Sequence, residues 1–230
     1  MLHQLDHVYR LTRTILLRSL GVLSLGTKAS GSTQETLSNV VLDVTDEESI
    51  KAAAVCVQQR FCRLDVLVNN ATVAGTAINN MKTRLRGCLD TNVIGPVVVS
   101  ELFRPLLLKS QNPNSIYVSS GARTLARNAI QRPPYYLHVK HVDAYQVSKA
   151  ALNMLPITKA RDYGPDGLKV FALSPGFVRS NIRGPSEEEI SGWGQTGDPE
   201  DAGGIVLDII KGKREADIGH LIHQDGIYDW

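Results

Sequence analysis

The stretch Leu64-Asp65-Val66-Leu67-Val68-Asn69 is apolar at almost every position. A strand with one wet face alternates apolar and polar residues. A near-continuous apolar run needs cover on both faces, which is the situation of a strand inside a parallel sheet. This restricts the chain to folds in which helices lie above and below a sheet, and the neighbouring sequence supplies them. Asn39 to Asp43 reads as a strand. Thr45 is placed to cap a helix, with Glu48 three positions on completing a capping box. Ile50, Ala53, Ala54, Val57 and Phe61 then recur at helical spacing. Residues 80–109 predict a helix interrupted at Gly95-Pro96. Further strands are expected at 115–119, 168–173 and 219–223, with a loop over 121–142 around Pro133-Pro134. One helix runs from about Tyr145 to Tyr163, where Gly164-Pro165-Asp166-Gly167 stops it. Another opens at Asp198 as N-cap with Pro199 behind it and runs to about Ile210. Strand and helix alternate, so the expectation is an α/β, Rossmann-like, doubly wound parallel sheet forming one domain over 1–230.

Composition excludes several function classes. The chain is 43% hydrophobic and 21% charged, with a net charge of +2. That balance, with no basic stripe, argues against nucleic acid or an anionic membrane surface as a partner. The three cysteines are Cys56, Cys62 and Cys88, an odd number without a CxxC. They read as thiols in a reducing compartment, not as a disulfide frame or a zinc site. No apolar run approaches the ~20 residues of a membrane span. Arg10, Arg13 and Arg18 among Ser and Thr give the first thirty residues a faint transit-peptide character, while Asp6 and Val8-Tyr9 also fit a strand. The expectation is a cytoplasmic protein.

In doubly wound sheets the ligand crevice lies beyond the carboxyl ends of the strands. Four such ends here carry polar or small residues: Asp43, Asn69-Asn70-Ala71, Ser119-Ser120-Gly121 and Ser174-Pro175-Gly176. Each alone is ordinary turn chemistry. The helix after the third end opens with Tyr145-Gln146-Val147-Ser148-Lys149. Positions i and i+4 share a helix face, and an ammonium beside a phenol favours its ionised form. A phenol tuned in this way can give or take a proton at a carbonyl or alcohol. Alone, the pair is equally consistent with a surface tyrosine beside a solvated lysine.

Taken in order, Leu42-Asp43-Val44, Asn69-Asn70-Ala71, Asn92, Ser119-Ser120, Tyr145-x-x-x-Lys149 and Pro175-Gly176 resemble the short-chain dehydrogenase/reductase family over roughly residues 37–230. The run Ser148 to Leu155 and the end Asp225-Gly226-x-x-x-Trp230 look most like its carbonyl-reductase-like branch, many of whose fungal and bacterial relatives reduce ketones, some in secondary metabolism. The resemblance implies an NADP(H)-dependent oxidoreductase acting on a small-molecule carbonyl or secondary alcohol. It implies Tyr145 as proton donor, with Ser120, the second serine of its pair, holding the substrate oxygen. Lys149 would lower the tyrosine pKa and hold the nicotinamide ribose, and Asn92 would anchor a relay water. Asp43, Val44 and Asn70 would contact the adenosine side, and Val178 and Ser180 the carboxamide side. It also implies a homodimer or homotetramer paired through the helices of Asn92 and Tyr145.

The chain departs from the family pattern in four places. Thr72 follows Asn69-Asn70-Ala71 where glycine is usual. Ser180 replaces threonine. The spacing from Ser120 to Tyr145 is long, implying an inserted loop over Leu125 to Val142 in which Tyr135, Tyr136 and Leu137 would wall the substrate pocket. The glycine-rich turn that cradles a pyrophosphate is missing: Gly21, Gly26 and Gly31 have the wrong spacing. Residues 7–13 look like the family's second strand, which leaves residues 1–36 as an atypical segment lacking the first strand and the phosphate loop. On that alignment Arg13 would suit a 2′-phosphate, hence NADPH. Two readings stand: a working reductase, or an impaired relative that keeps the shell and binds a ligand or a partner.

Overall fold

The structure is a computed structural model that describes residues 14–17, 22–28, 35–121, 124–130 and 141–230. Arg13, residues 7–12 and the trio Tyr135, Tyr136 and Leu137 lie outside the described residues. The elements in chain order are β1 (Thr14–Leu17), β2 (Val22–Lys28), β3 (Glu35–Val41), α1 (Glu47–Phe61), β4 (Val66–Asn69), α2 (Met81–Leu89) and a π-helical turn (Asp90–Ile94). There follow α3 (Gly95–Leu107), β5 (Asn114–Val118), α4 (Leu125–Ile130), α5 (Asp143–Tyr163), β6 (Lys169–Leu173), α6 (Glu187–Ile190), α7 (Pro199–Ile210), β7 (Leu221–His223) and β8 (Gly226–Tyr228).

The described strands form one sheet in the order β3-β2-β1-β4-β5-β6-β7-β8. Its centre, β1-β4-β5-β6-β7, is parallel throughout. The sheet as a whole is mixed, which corrects the expectation of a parallel sheet at its two ends. β2 runs antiparallel to both neighbours, and β8 runs antiparallel to β7. The physical reason is connection length. The links at 18–21 and 29–34 allow hairpins but not the dozen or more residues of a parallel crossover. A strand does stand beside β4 in the central position, namely β1, so the expected loss of a first strand is also corrected. It is the crossover helix after that strand which a hairpin replaces.

Every residue of β4 is buried, with alternate side chains feeding opposite faces. Leu67, with Tyr117 and Val170, joins Val57 of α1, Phe103 of α3 and Leu152 of α5 in one core cluster. Val66 and Val68 join Ile116, Phe171, Ile205 and Ile209 in the other, under α7. The doubly covered strand read from the sequence is therefore the middle of a three-layer α/β/α stack.

Local details differ from expectation in instructive ways. Asp46 caps α1, accepting from the Glu48 amide, in place of Thr45. The Thr45 hydroxyl instead donates to Asp43 at 2.7 Å, so it is spent on an Asx turn that sets up the true cap. The break expected at Gly95-Pro96 is realised one turn earlier, as the π-helical turn. There the Gly95 amide donates to the Asp90 carbonyl. Pro96 has no N–H, so the carbonyl of Asn92, four residues before it, has no α-helical donor. Gly95 itself must be small: a Cβ there would lie 2.8 Å from the Val44 carbonyl oxygen.

Leu67 is 0% exposed, so Leu67→Ala is expected to cost about 2–5 kcal/mol, read as a lowered urea midpoint. Val41 is 80% exposed, and Val41→Ser should change stability by no more than about 0.5 kcal/mol.

Candidate active site

The carboxyl ends of β4, β5 and β6 and the first turns of α5 converge on one edge of the sheet. Asn92, in the π-helical turn, is fully buried. Its amide group donates to the Val73 carbonyl at 2.9 Å and to the Ser148 hydroxyl at 2.8 Å. Its carbonyl oxygen accepts from the Val73 amide at 2.8 Å and the Thr72 hydroxyl at 3.0 Å. Two donors and two acceptor sites are an asparagine's whole capacity. The side chain is therefore a rivet between the loop after β4 and the helix of Tyr145. Thr72, the departure from the family's glycine, is part of that rivet, and it is not among the residues with left-handed φ.

Ser148 closes the next link. It donates from its hydroxyl to the Tyr145 carbonyl at 2.8 Å. Lys149 is 2% exposed. Its Nζ donates to the Val118 carbonyl at 2.7 Å and lies 5.8 Å from the centroid of the Tyr145 ring. Burial pulls the Lys149 ammonium down to about 7, against a small opposing pull from Cys88. Tyr145 is half-buried. In the serine pair, the buried Ser119 turns its hydroxyl to Asn153 of α5, and Ser120 is half-buried beside it.

The remaining expected residues sit farther along the sheet. The Asp43 carboxylate is exposed and holds the amide and hydroxyl of Thr45 at 2.8 and 2.7 Å, which keep its pKa below the usual carboxylate range. Val44 is buried in the core. Asn70 is half-buried at the end of β4. Val178 and Ser180 follow β6, in a segment organised by a residue the sequence reading overlooked. The Arg183 guanidinium donates to the carbonyls of Glu189, Val178, Ser180 and Ile190 at 2.7, 3.1, 3.3 and 2.8 Å. It also stacks 4.6 Å above the Phe177 ring. Burial lowers its pKa, with Tyr145 pulling the other way. No sequence motif announces this role, because every acceptor is a backbone carbonyl. Ser148 was more legible, lying beside Lys149, but its partner Asn92 is 56 positions away.

A dinucleotide must be satisfied at two ends. Lys149 carries three N–H donors, and among the described residues its hydrogen-bond acceptor is Val118. Donors therefore remain for the hydroxyls of a ribose, and the nicotinamide end fits. At the other end, a doubly wound fold sets the pyrophosphate on the N-terminus of the helix that follows the first strand. Here β1 pairs antiparallel with β2, the next described element, so among the described residues no helix N-terminus directly follows β1. Among the described residues, no His, Cys, Asp and Glu are grouped for a metal ion, and no helix is long and apolar enough to cross a membrane.

The family model described as short chain dehydrogenase matches residues 22–191, well over half of the chain. The chain belongs to the short-chain dehydrogenase/reductase family. It is an oxidoreductase of the class acting on CH–OH and C=O groups, in a family that uses NAD(P). It is 32% identical over 204 residues to the short-chain dehydrogenase/reductase tropE of Talaromyces stipitatus, covering 84% of this chain and 76% of that one. It is 30% identical over 198 residues to the short-chain dehydrogenase anuI of Penicillium roqueforti, with the same two coverages. Among solved structures, NADPH-bound carbonyl reductase from chicken fatty liver is similar at 29% identity with a TM-score of 0.69, covering 83% of this chain and 76% of that one.

The folded pKa of Lys149 lies below its unfolded value of 10.5. Between the two, the unfolded chain holds a proton that the native one lacks, so this group makes stability rise with pH in that window. Lys149→Met removes the titration. The stability of wild type minus that of the variant should be flat below about pH 7 and climb above it, measured by urea unfolding across pH 6 to about 9.5.

Proposed function

We propose that this chain interconverts a carbonyl and a secondary alcohol with NADP(H), with Tyr145 exchanging the proton at the substrate oxygen. The observation that carries the reading is the buried Lys149 ammonium beside the Tyr145 ring, on a helix riveted to the sheet edge through Ser148 and Asn92. A reduced nicotinamide, its ribose held by Lys149, would supply the hydride. The residues of the chain do the rest. Tyr145 gives a proton from its hydroxyl to the substrate oxygen as charge develops there. Ser120 holds the same oxygen by a hydrogen bond; commitment of the Ser119 hydroxyl to Asn153 supports that choice within the pair.

Lys149 favours the ionised phenol and offers its remaining donors to the nicotinamide ribose. With the Asn92 side chain filled, a relay water would be held by its backbone carbonyl, to which Pro96 cannot donate. Val178 and Ser180 lie on the carboxamide side, and Asp43, Val44 and Asn70 on the adenosine side. The preference for NADP is supported by the NADPH-bound carbonyl reductase among the similar structures. Val147 and Met154, exposed at 50% and 57% and seven apart on α5, support pairing of copies through that helix.

The hairpin after β1 favours a second reading, in which the proton-handling residues persist while the dinucleotide is held weakly and the chain acts by binding a ligand or partner. A titration of NADPH followed by nicotinamide fluorescence separates the two. Micromolar binding supports the reductase; no binding supports the second reading. Tyr145→Phe should lower kcat for ketone reduction by about 10²- to 10⁴-fold, the usual worth of general acid catalysis, with an unchanged circular dichroism spectrum. Equal turnover in that variant removes Tyr145 from the mechanism.

A further inference from the structure

We propose that the C-terminal hairpin β7–β8 positions Ser120, with Tyr228 as the positioning residue. This rests on the reading that Ser120 holds the substrate oxygen. Gly121 follows Ser120 and is buried. A Cβ built on it would lie 2.0 and 2.1 Å from Cε2 and Cδ2 of the Tyr228 ring, far inside van der Waals contact. Gly121 is not among the residues with left-handed φ. The glycine is therefore demanded by the ring seated on it and not by its own backbone conformation.

The ring is itself held in place. His223 stacks on it with centroids 3.9 Å apart and planes at 14°. The Arg214 guanidinium spans the hairpin, donating to the His223 carbonyl at 3.1 Å and the Gly226 carbonyl at 2.8 Å, and pairs with Asp217. A second tie reaches Gly121 through the sheet. Its amide donates to the Ser174 hydroxyl at 2.8 Å, and the Ser174 amide donates to the Ile222 carbonyl of β7 at 2.7 Å. On the other side of Ser120, the Ser119 amide donates to the Leu173 carbonyl at 2.7 Å and its hydroxyl to Asn153. Ser120 thus hangs between two fixed points. One is anchored to β6 and to the helix of Tyr145, the other to the C-terminal hairpin. Removing the ring frees one end and lets the Ser120 hydroxyl drift relative to Tyr145.

The test is a steric suppression cycle with two readouts. Gly121→Ala introduces the methyl group the ring forbids and is expected to lower the unfolding midpoint and to reduce kcat at least tenfold. Adding Tyr228→Ala makes room, so the double variant should regain unfolding midpoint relative to Gly121→Ala alone. Tyr228→Ala alone should reduce kcat several-fold with little change in KM for NADPH, and Tyr228→Phe should restore wild-type kcat.

The second readout needs no turnover. Ser120→Cys is alkylated with iodoacetamide, and the rate at residue 120 is followed by peptide mass spectrometry with and without Tyr228→Ala. A several-fold faster rate without the ring is expected. An unchanged rate, or a double variant whose losses simply add, overturns the proposal. If wild type shows no ketone turnover, the reading of the catalytic site fails on its own, and the alkylation rates still decide whether Tyr228 holds the Ser120 turn.

Discussion

The side chain of Asn92 spends its entire hydrogen-bonding capacity inside the protein, and the candidate site depends on that. An unmet buried amide costs about 1–3 kcal/mol, so each of its partners is constrained to be where it is. Those partners belong to different parts of the chain: the loop after β4 and the second turn of α5. Through Ser148 the constraint reaches the backbone of Tyr145 itself. The π-helical turn belongs to the same arrangement. It stands just before Pro96, which cannot donate to the Asn92 carbonyl, and it brings Gly95 against Val44, where only a glycine fits.

Much of this was legible from the chain. The parallel centre of the sheet follows from runs such as 64–69, whose apolar character forces cover on both faces. The start of α7 follows from Asp198 and Pro199 and was placed to the residue. What escaped has common physical causes. Thr45 and Asp46 are both good caps, and only the competing bond from Thr45 to Asp43 decides between them. The short helix α4 lay within an expected loop. β2 and β8 owe their direction to link length, which a pattern of apolar residues does not encode. Arg183 bonds nearby backbone carbonyls, which any residue type supplies, and the bonds of Asn92 reach 19 to 56 positions along the chain, so neither network leaves a local signature.

The two halves of the chemistry are built to different degrees. At the end proposed to handle the proton, Lys149, Tyr145 and the serine pair lie on one sheet edge, with Lys149 tied to Val118 and Ser119 to Asn153. At the phosphate end the chain offers a hairpin where relatives of this architecture place a helix N-terminus. Lys149 belongs to the built half: it is buried, its Nζ donates to the Val118 carbonyl, and burial pulls its pKa down to about 7.

Arg183 draws four backbone carbonyls between Val178 and Ile190 onto a single guanidinium and covers it with Phe177. A segment organised around its own internal hub needs few instructions from the sheet beneath it. It behaves as a cartridge: exposed positions can change while the hub keeps the frame that carries Val178 and Ser180.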